Sequence, residues 1–321
     1  MKAMQIHKYG GPRVLTYEDA PRPEPKEDEL LIRLHATSVN PADWQIRSGR
    51  RFRLKKPFSL ILGFDVSGIV EEVGSSVSDF QVGDAVFGML DIRKGGAYAE
   101  YTAGPATNFA HKPNSLDHIQ AVALPVVALT AWQALFDAAE LSAGQKVLIH
   151  AAAGGVGHIA VQLAKWKGAY VIGTASGRNE DFLREIGVDE FVDYTTTHFE
   201  DVVHDVDVVL EAVNRDIRVE RRRGETLERS WGVLKKGGAL ISICDTSVSK
   251  TAAEYGVRGK YILAQPNAAQ LVEIADLADA GHVKPFISTV LPLKEARKAH
   301  KLSHTGHTRG KIVLQVVKSD I

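Results

Sequence analysis

The sequence contains a single cysteine, Cys244, among its 321 residues. One cysteine can form neither an intrachain disulfide nor a four-cysteine zinc site, and it fits a reducing compartment. Long apolar runs are also missing, since no stretch approaches the roughly 18 residues of a transmembrane helix, and the N-terminus lacks the apolar core of a secretory signal. Lysine plus arginine number 39, equal to aspartate plus glutamate, so no net charge recruits nucleic acid or an anionic membrane. These absences predict a cytoplasmic protein without membrane or nucleic-acid partners.

The composition and the order of predicted elements indicate two domains. Hydrophobic residues make up 45% of the chain, as in ordinary globular proteins, and its length fits about two domains. Short apolar stretches separated by turn residues dominate residues 1–125, whereas predicted strands and helices alternate over 126–265, a pattern typical of parallel βαβ units. The last residues, 266–321, return to the β-rich character. We therefore predict an α/β fold with a doubly wound parallel-sheet domain over 126–265 and a β-rich domain of 1–125 and 266–321. The parallel part includes a predicted helix at Thr226–Leu234 and a last strand at Lys260–Ala264.

The stretch from Lys146 to Lys165 combines an apolar run, a glycine cluster and an amphipathic helix pattern. Val147–Ile149 is predicted to be a buried strand, and from Val156 onward apolar residues recur at helical spacing. Between them lies the dinucleotide-binding fingerprint, with alanine in place of its first glycine. Its second glycine lets a pyrophosphate approach the backbone, its third lets the helix pack on the strand, and the helix N-terminal amides face the anion. The predicted dinucleotide-binding residues of this turn are Ala152, Gly154, Gly155, Val156 and Gly157; the alternative is a structural turn without a ligand.

The residues after the second predicted strand bear on which dinucleotide binds. An NAD site usually has an acid there that accepts from the ribose 2′-hydroxyl. Here Thr174 ends the strand, Ser176 and Arg178 follow, and no acid precedes Glu180. Because a hydroxyl and a guanidinium suit a 2′-phosphate, the sequence predicts NADPH, with Thr174, Ser176 and Arg178 among its contacts. The alternative is that Arg178 is a solvated residue on the first turn of a helix.

Further stretches resemble the medium-chain dehydrogenase/reductase superfamily, and in particular its zinc-free, quinone oxidoreductase-like (zeta-crystallin) branch. The resemblance runs nearly end to end and rests on Val39–Asp43, Gly63–Val70, Gly83–Gly88, Leu124–Trp132 and Gly306–Leu314. It implies a GroES-like β-barrel substrate domain plus a Rossmann cofactor domain, with the cofactor bound in the cleft between them.

The resemblance also implies an absence of catalytic zinc. Zinc-dependent alcohol dehydrogenases of the superfamily have cysteine, histidine and a second cysteine where this chain has Asn40, Phe64 and a residue near Val126. None of these three side chains is a preferred zinc ligand. His304 and His307 could chelate a metal in principle, but a pair of solvated histidines is the interpretation we favour.

The same resemblance assigns residues near the reacting atoms, each with a structural alternative. Asn40 is expected near the nicotinamide ribose or the substrate oxygen. Asp43 is a polar residue beside it, or else the N-cap of a Trp44–Arg47 turn. Thr130 is expected to contact the nicotinamide, or else to bond back to a helix carbonyl. Tyr194 is expected to contact the 2′-phosphate, or to lie at the rim of the core. The backbone carbonyl of Ile243 is expected to face the nicotinamide amide, or Ile243 simply ends a strand.

These residues include no convincing general acid. Quinone reduction tolerates that lack because hydroquinone oxygens can take protons from water, whereas carbonyl reduction needs a positioned donor. We therefore expect an NADPH-dependent quinone oxidoreductase, with NADPH-dependent reduction of an enone C=C bond as the rival activity. A third possibility is a non-catalytic NADPH-binding sensor or interaction protein, because fold does not fix function.

Two more features concern the surface and partners. Arg221–Arg223 lies in an insertion relative to the family pattern after the fourth parallel strand; it could cover the cofactor phosphates, recruit an anionic substrate or form a solvated loop. The last strand of the parallel sheet leaves an edge that a two-fold mate could extend. The family commonly dimerises in this way, so we expect a homodimer through that sheet edge.

Overall fold

The computed structural model describes residues 1–50, 58–213 and 225–317. The chain packs into two compact units. The first unit comprises Met1–Leu129, Gln265–Gly281 and Pro285–Ile321, and the second comprises Thr130–Ala264 with His282–Lys284. The sequence places the two junctions at 125/126 and 265/266, so the first lies four residues earlier than the observed division and the second one residue later.

The strands, in chain order, are β1 Lys2–Ile6, β2 Leu15–Asp19, β3 Glu29–Val39, β4 Leu60–Ile61, β5 Asp65–Val73, β6 Ala85–Met89, β7 Tyr101–Pro105, β8 Phe109–His111, β9 Lys146–Ile149, β10 Tyr170–Ala175, β11 Glu190–Asp193, β12 Val206–Glu211, β13 Leu234–Ser242, β14 Arg258–Tyr261, β15 Ile287–Pro292 and β16 Lys311–Gln315. The α-helices are α1 Pro41–Ser48, α2 His118–Ala121, α3 Pro125–Trp132, α4 Gly155–Trp166, α5 Glu180–Glu185, α6 Glu225–Trp231, α7 Val248–Thr251, α8 Ala268–Asp279 and α9 Ala296–His304. Helix α3 continues as a π-helix over Gln133–Ala138.

The second unit is built on a six-stranded parallel sheet. Its strand order is β11-β10-β9-β12-β13-β14, which is the 3-2-1-4-5-6 order of the doubly wound dinucleotide-binding fold. Val147, Leu148 and Ile149 of the central strand β9 are all fully buried, as expected where helices cover both faces of a sheet. The carboxyl ends of β9, β10 and β11 therefore lie side by side, and the turns that follow them form one edge.

The first unit is a mostly antiparallel sheet centred on the long strand β3. This strand pairs with β5, β7 and β16, all antiparallel. Leu30, Ile32 and Leu34 alternate along β3 and lie in one core cluster with residues of β5 and β6, as the two-residue period of a strand requires. Because β16 pairs with β3, the C-terminal segment belongs to the first unit and places Lys311 near Val39.

Two predicted element boundaries are wrong. The helix predicted at Thr226–Leu234 ends at Trp231, and Leu234 instead begins β13, where it pairs with Val206. The strand predicted at Lys260–Ala264 is β14, Arg258–Tyr261, because its partner β13 offers pairing positions from Ala239 to Ser242. The apolar content of a segment does not show where the strand that pairs with it begins and ends. Within the described part of the chain, no helix has the length and hydropathy needed to cross a membrane.

Candidate functional site

The turn between β9 and α4 holds the predicted fingerprint, and Gly157 is the residue on which its geometry depends. A Cβ at Gly157 would lie 2.3 Å from the Ala151 carbonyl oxygen and 2.7 Å from the Ala152 Cα. Both are backbone atoms, so no side chain can move aside. Only glycine therefore lets the first turn of α4 pack this closely on the end of β9.

Gly154 has a different role in the same turn. It is the N-cap of α4 with φ −77° and ψ −178°, an extended conformation that any residue can adopt, and no side chain caps the helix. A Cβ on Gly154 would meet the Ala151 carbonyl oxygen at 3.1 Å. The first amides of a helix have no partner within it, so Gly155, Val156 and Gly157 present N–H groups at an uncapped N-terminus. This arrangement suits an anion such as a pyrophosphate.

Ala152 and Ile243 flank this turn without presenting polar side chains. Ala152 is fully buried, and its N–H donates to the Thr174 carbonyl at 3.0 Å. Ile243 comes one residue after the end of β13, and its N–H donates to the Glu211 carbonyl at 3.1 Å. Ile243 therefore follows the strand instead of ending it, and its position at the carboxyl edge of the sheet is the one that was predicted.

The hydroxyl of Thr174 is committed inside the protein. Thr174 is buried, and its Oγ1 lies 3.0 Å from His150 Nδ1, while His150 Nε2 lies 3.0 Å from Ser230 Oγ. Ser230 gives its hydroxyl hydrogen to the Thr226 carbonyl at 2.6 Å, so it accepts from His150 Nε2, and His150 Nδ1 must accept from Thr174. Thr174 thus ties the end of β10 to β9 and α6, and its hydroxyl hydrogen is used inside the protein. His150 is the central residue of this series of hydrogen bonds, and no pattern in the sequence indicated it.

The turn after β10 carries the residues predicted to read the ribose 2′ position. Ser176 is half-buried and precedes a short 3₁₀ turn at Gly177–Asn179, on which Arg178 is exposed. Tyr194, directly after β11, has 55% of its surface exposed. The two predicted phosphate contacts are thus at the surface, at the ends of neighbouring strands.

Asp193 is an acid at this edge that the sequence analysis missed. It pairs with Ala175 in the parallel register of β10 and β11, and its Oδ2 lies 2.6 Å from the point where a Cβ on Gly177 would stand. Hydrogen bonds from Thr195 and from the Gly177 amide hold the pKa of Asp193 below its usual value. No acid lies between Thr174 and Glu180 in the sequence, but the Asp193 carboxylate reaches this turn from the third strand, β11.

In the first unit, Asn40 and Asp43 lie together at the start of α1. Asn40 is the N-cap and Asp43 stands three residues later, so the interpretation of Asp43 as the N-cap of a Trp44–Arg47 turn is wrong. Asp43 is fully buried; its two carboxylate oxygens accept from the Asn40 amide at 2.7 Å and the Gly63 amide at 2.9 Å. Burial raises the pKa of Asp43 to about 7, against the opposing effect of these two bonds. Asp43 is therefore a buried positioning group for the α1 N-terminus.

The Asn40 side chain is part of a buried polar cluster. Its Nδ2 donates to Asp65 Oδ2 at 2.7 Å, and its Oδ1 accepts from the Lys311 ammonium at 2.6 Å. The other Asp65 oxygen accepts from the Val126 amide at 2.7 Å. The exposed fractions of Asn40, Asp65 and Lys311 are 4%, 0% and 3%. Sequence reasoning missed Asp65 and Lys311; the only signal for Lys311 is a lysine that opens the apolar strand β16.

Thr130 lies in α3 with 7% of its surface exposed and belongs to the second unit. The predicted catalytic residues are thus divided between the two units, with Asn40 and Asp43 in the first. Arg221–Arg223 lies outside the described residues.

At the three positions that the sequence analysis compared with the zinc ligands of zinc-dependent dehydrogenases, this chain has groups with other contacts. Phe64 is in the core with 1% exposed, Asn40 bonds to Lys311, and the Val126 amide bonds to Asp65. His304 makes an edge-to-face contact with Trp44. In residues 1–50, 58–213 and 225–317, no group of three or more His, Cys, Asp or Glu side chains could hold a metal ion. The residues at these positions therefore fit poorly with a catalytic zinc ion.

Comparison with known proteins gives consistent matches along the chain. Residues 26–114 match the alcohol dehydrogenase GroES-like domain, and residues 186–314 match a zinc-binding dehydrogenase family. The chloroplast envelope quinone oxidoreductase homolog of Arabidopsis thaliana is 35% identical over 98% of both chains. The chloroplastic NADPH-dependent alkenal/one oxidoreductase of the same plant is 32% identical over 98% of this chain and 79% of its own. The solved quinone oxidoreductase from Coxiella burnetii superposes with a TM-score of 0.90, at 37% identity and 99% coverage of both chains. These matches confirm the predicted fold class, a GroES-like domain with a Rossmann domain.

Proposed function

Because this chain is an oxidoreductase of the quinone oxidoreductase-like (zeta-crystallin-type) branch of the medium-chain dehydrogenase/reductase superfamily, we propose that it transfers hydride from NADPH to a quinone without zinc. A nicotinamide cofactor and a small-molecule substrate follow from the relatives; the choice of NADPH and of a quinone is the proposal. The observation that carries it is the uncapped α4 N-terminus, packed on β9 through Gly157.

The described residues fit the dinucleotide. A Cβ on Gly154 would add a methyl group at the helix N-terminus, so its absence leaves backbone for a pyrophosphate to approach. Ser176, Arg178 and Tyr194 would hold the 2′-phosphate of NADPH. The Asp193 carboxylate opposes a phosphate, but it already accepts hydrogen bonds from Thr195 and Gly177, and Arg178 is exposed on the turn that includes Gly177. On balance the turn favours NADPH.

When bound, NADPH supplies the hydride, and the side chains of this chain orient and polarise the acceptor. Asn40 donates a hydrogen bond to the acceptor oxygen, and Thr130 orients the nicotinamide. Asp43 accepts two backbone N–H groups, so its role is to hold Asn40 in place. Since these residues include no acid directed at a substrate, the acceptor oxygen takes its proton from water, which a quinone permits.

Reduction of an enone C=C bond is the second candidate. It is favoured by the similarity to the alkenal/one oxidoreductase and to the 2-methylene-furan-3-one reductase of Solanum lycopersicum. An enone would place its carbonyl oxygen on the same Asn40 donor and receive hydride at its β-carbon.

A direct test is to purify the chain and follow NADPH oxidation with a panel of quinones and a panel of enones. The proposal expects quinone turnover with kcat/KM at least tenfold above the best enone. Higher kcat/KM for an enone would assign the chain to C=C reduction. Tight NADPH binding with no turnover on either panel would assign it to the non-catalytic class.

The edge strand β14 supports the proposed homodimer. It is the last strand of the parallel sheet in the described residues. Pairing with the same strand of a two-fold mate would satisfy its outer backbone groups. Sedimentation velocity is expected to give twice the chain mass of 34.9 kDa, and a monomer mass would contradict the proposal. The cytoplasmic location stays a prediction.

A further inference from the structure

Lys311 is a buried lysine whose three ammonium hydrogens all have acceptors. It is 3% exposed, and its Nζ lies 2.6 Å from Asn40 Oδ1, 3.3 Å from the Val39 carbonyl and 3.4 Å from Asp65 Oδ2. Burying a charge is unfavourable unless it is paired and hydrogen-bonded. An ammonium used in this way has no hydrogen left for a substrate, so any role in the reaction must act through a neighbour.

Lys311 affects which way the side-chain amide of its neighbour Asn40 faces. An ammonium only donates, so the Asn40 atom that faces it must be the amide oxygen. The amide nitrogen then lies on the other side, where one N–H donates to Asp65 Oδ2 at 2.7 Å. An amide nitrogen carries two N–H groups, and among the described residues Asp65 is its one hydrogen-bonded acceptor. The second Nδ2–H group is thus left to donate to a ligand, and the orientation of the amide makes this position a donor and not an acceptor.

Asp65 holds the nitrogen side of the amide as firmly as Lys311 holds the oxygen side. Its Oδ2 also accepts from the Ser38 hydroxyl, and its Oδ1 accepts from the Val126 amide. The backbone N–H of Asn40 is held separately, by Asp43 at 2.7 Å. The Asn40 side chain is therefore fixed at its oxygen, its nitrogen and its backbone.

We propose that Lys311 is a positioning residue, whose ammonium holds the Asn40 amide so that the second Nδ2 hydrogen donates to the oxygen of the hydride acceptor. This inference rests on the proposed function. No bond forms or breaks at Lys311 or Asn40; the hydrogen bond stabilises the negative charge that develops on the acceptor oxygen before water protonates it. Without the ammonium, Asp65 alone among the described residues restrains the side-chain amide, so the second Nδ2 hydrogen is no longer held at one position relative to the acceptor oxygen.

A double-mutant cycle separates this role from a purely structural one. The variants are Lys311→Met, Asn40→Ala and the two combined, with Lys2→Met as the control because Lys2 forms an exposed ion pair with Asp19. We expect Lys311→Met and Asn40→Ala each to lower kcat with a quinone by about 100- to 1,000-fold, the range for loss of one such donor. The combined variant should be within about twofold of Asn40→Ala alone, because Lys311 acts only through Asn40. Lys2→Met should match the wild type.

The measurements distinguish a failure of the Lys311 inference from a failure of the proposed function. NADPH dissociation constants, measured by fluorescence, should change less than about twofold in all variants, since the cluster belongs to the first unit. Effects on kcat that multiply in the combined variant, or a Lys311→Met loss confined to NADPH affinity, would overturn the inference while leaving the function intact. A wild type that binds NADPH and reduces no quinone or enone would instead overturn the proposed function. If Lys311→Met does not fold, Lys311→Gln replaces it in the same cycle with the same criterion, because a Gln amide can face Asn40 with its oxygen as well as its nitrogen and so no longer fixes which atom Asn40 turns toward position 311.

Discussion

Replacing Gly157 by alanine tests the geometry of the dinucleotide turn. The new Cβ would lie 2.3 Å from the Ala151 oxygen, and 2.7 and 2.8 Å from the Cα and carbonyl carbon of Ala152. All three atoms are backbone, so relief requires α4 to move away from β9. Overpacking of this kind costs about 1–3 kcal/mol, and the better helix propensity of alanine offsets up to about 1 kcal/mol of that. We expect a net loss of about 1–2 kcal/mol and a fall in Tm of about 2–8 °C.

The same substitution at Gly154 should separate folding from binding. Gly154 has an ordinary backbone conformation, and its Cβ would meet one backbone atom at 3.1 Å, so the stability should change by less than about 1 kcal/mol. The added methyl group would nevertheless stand where the pyrophosphate is proposed to approach. We expect the NADPH dissociation constant to rise at least tenfold in both variants, with a loss of Tm in Gly157→Ala alone.

The assays are calorimetry for Tm and fluorescence titration for NADPH. Gly11→Ala is the matched control, because its φ is −70° and no atom of the described residues lies within 4 Å of its Cβ position; it should change neither quantity. A Gly157→Ala protein with wild-type Tm and NADPH affinity would refute the packing argument. Normal NADPH affinity in Gly154→Ala would refute the assignment of the pyrophosphate to this turn.

Three further predictions concern the 2′-phosphate and buried titrating groups. Arg178→Ala should raise the KM for NADPH by up to about fivefold and leave that for NADH unchanged; equal effects on both would remove Arg178 from the phosphate site. Burial lowers the pKa of His300 to about 3, so the unfolded chain binds a proton below pH 6.5 that the native protein does not. The stability advantage of wild type over His300→Gln in urea unfolding should therefore shrink by about 1.4 kcal/mol per pH unit from 6.5 to 5, and a constant difference would show that His300 takes up its proton alike in the folded and unfolded states, which would contradict the lowered pKa. For Asp43 the pH dependence of stability has the opposite sign. Its pKa is raised to about 7, so between about pH 4 and 7 the native protein holds a proton that the unfolded chain has lost. Wild type should gain stability relative to Asp43→Asn by about 1.4 kcal/mol per unit as pH falls from 7 to 5, and a gap that does not vary with pH would contradict the raised pKa.

The parts of the fold that local sequence determines could be predicted. The strand, turn and helix around Gly157 follow from an apolar run, a glycine cluster and helical spacing within twenty residues. Their bounds differ from the observed β9 and α4 by a residue. The alternation beyond Pro125 likewise predicted a parallel sheet, because crossover helices require one.

The features that depend on pairing between distant strands could not be predicted from the sequence. Lys311 reaches Asn40, 271 positions away, because β16 pairs with β3, and no periodicity in either strand indicates that pairing. Asp193 reaches Gly177 through the register of β10 and β11. The cofactor contact of Thr174 stays a prediction, and the sequence does not show that the Thr174 hydroxyl hydrogen bonds to His150. Which polar groups remain available to a ligand is settled by packing.

The central claim is that this chain transfers hydride from NADPH to a quinone through a donor at Asn40. Its most direct test is a single-turnover experiment in which the NADPH-loaded protein is mixed with a quinone, using NADPH with hydrogen or deuterium at the transferred position. The account predicts that nicotinamide absorbance and quinone are lost together in equal amounts, more slowly with deuterium, and at least tenfold more slowly in Asn40→Ala. Bound NADPH that stays reduced, or a transfer rate that Asn40→Ala leaves unchanged, would contradict it.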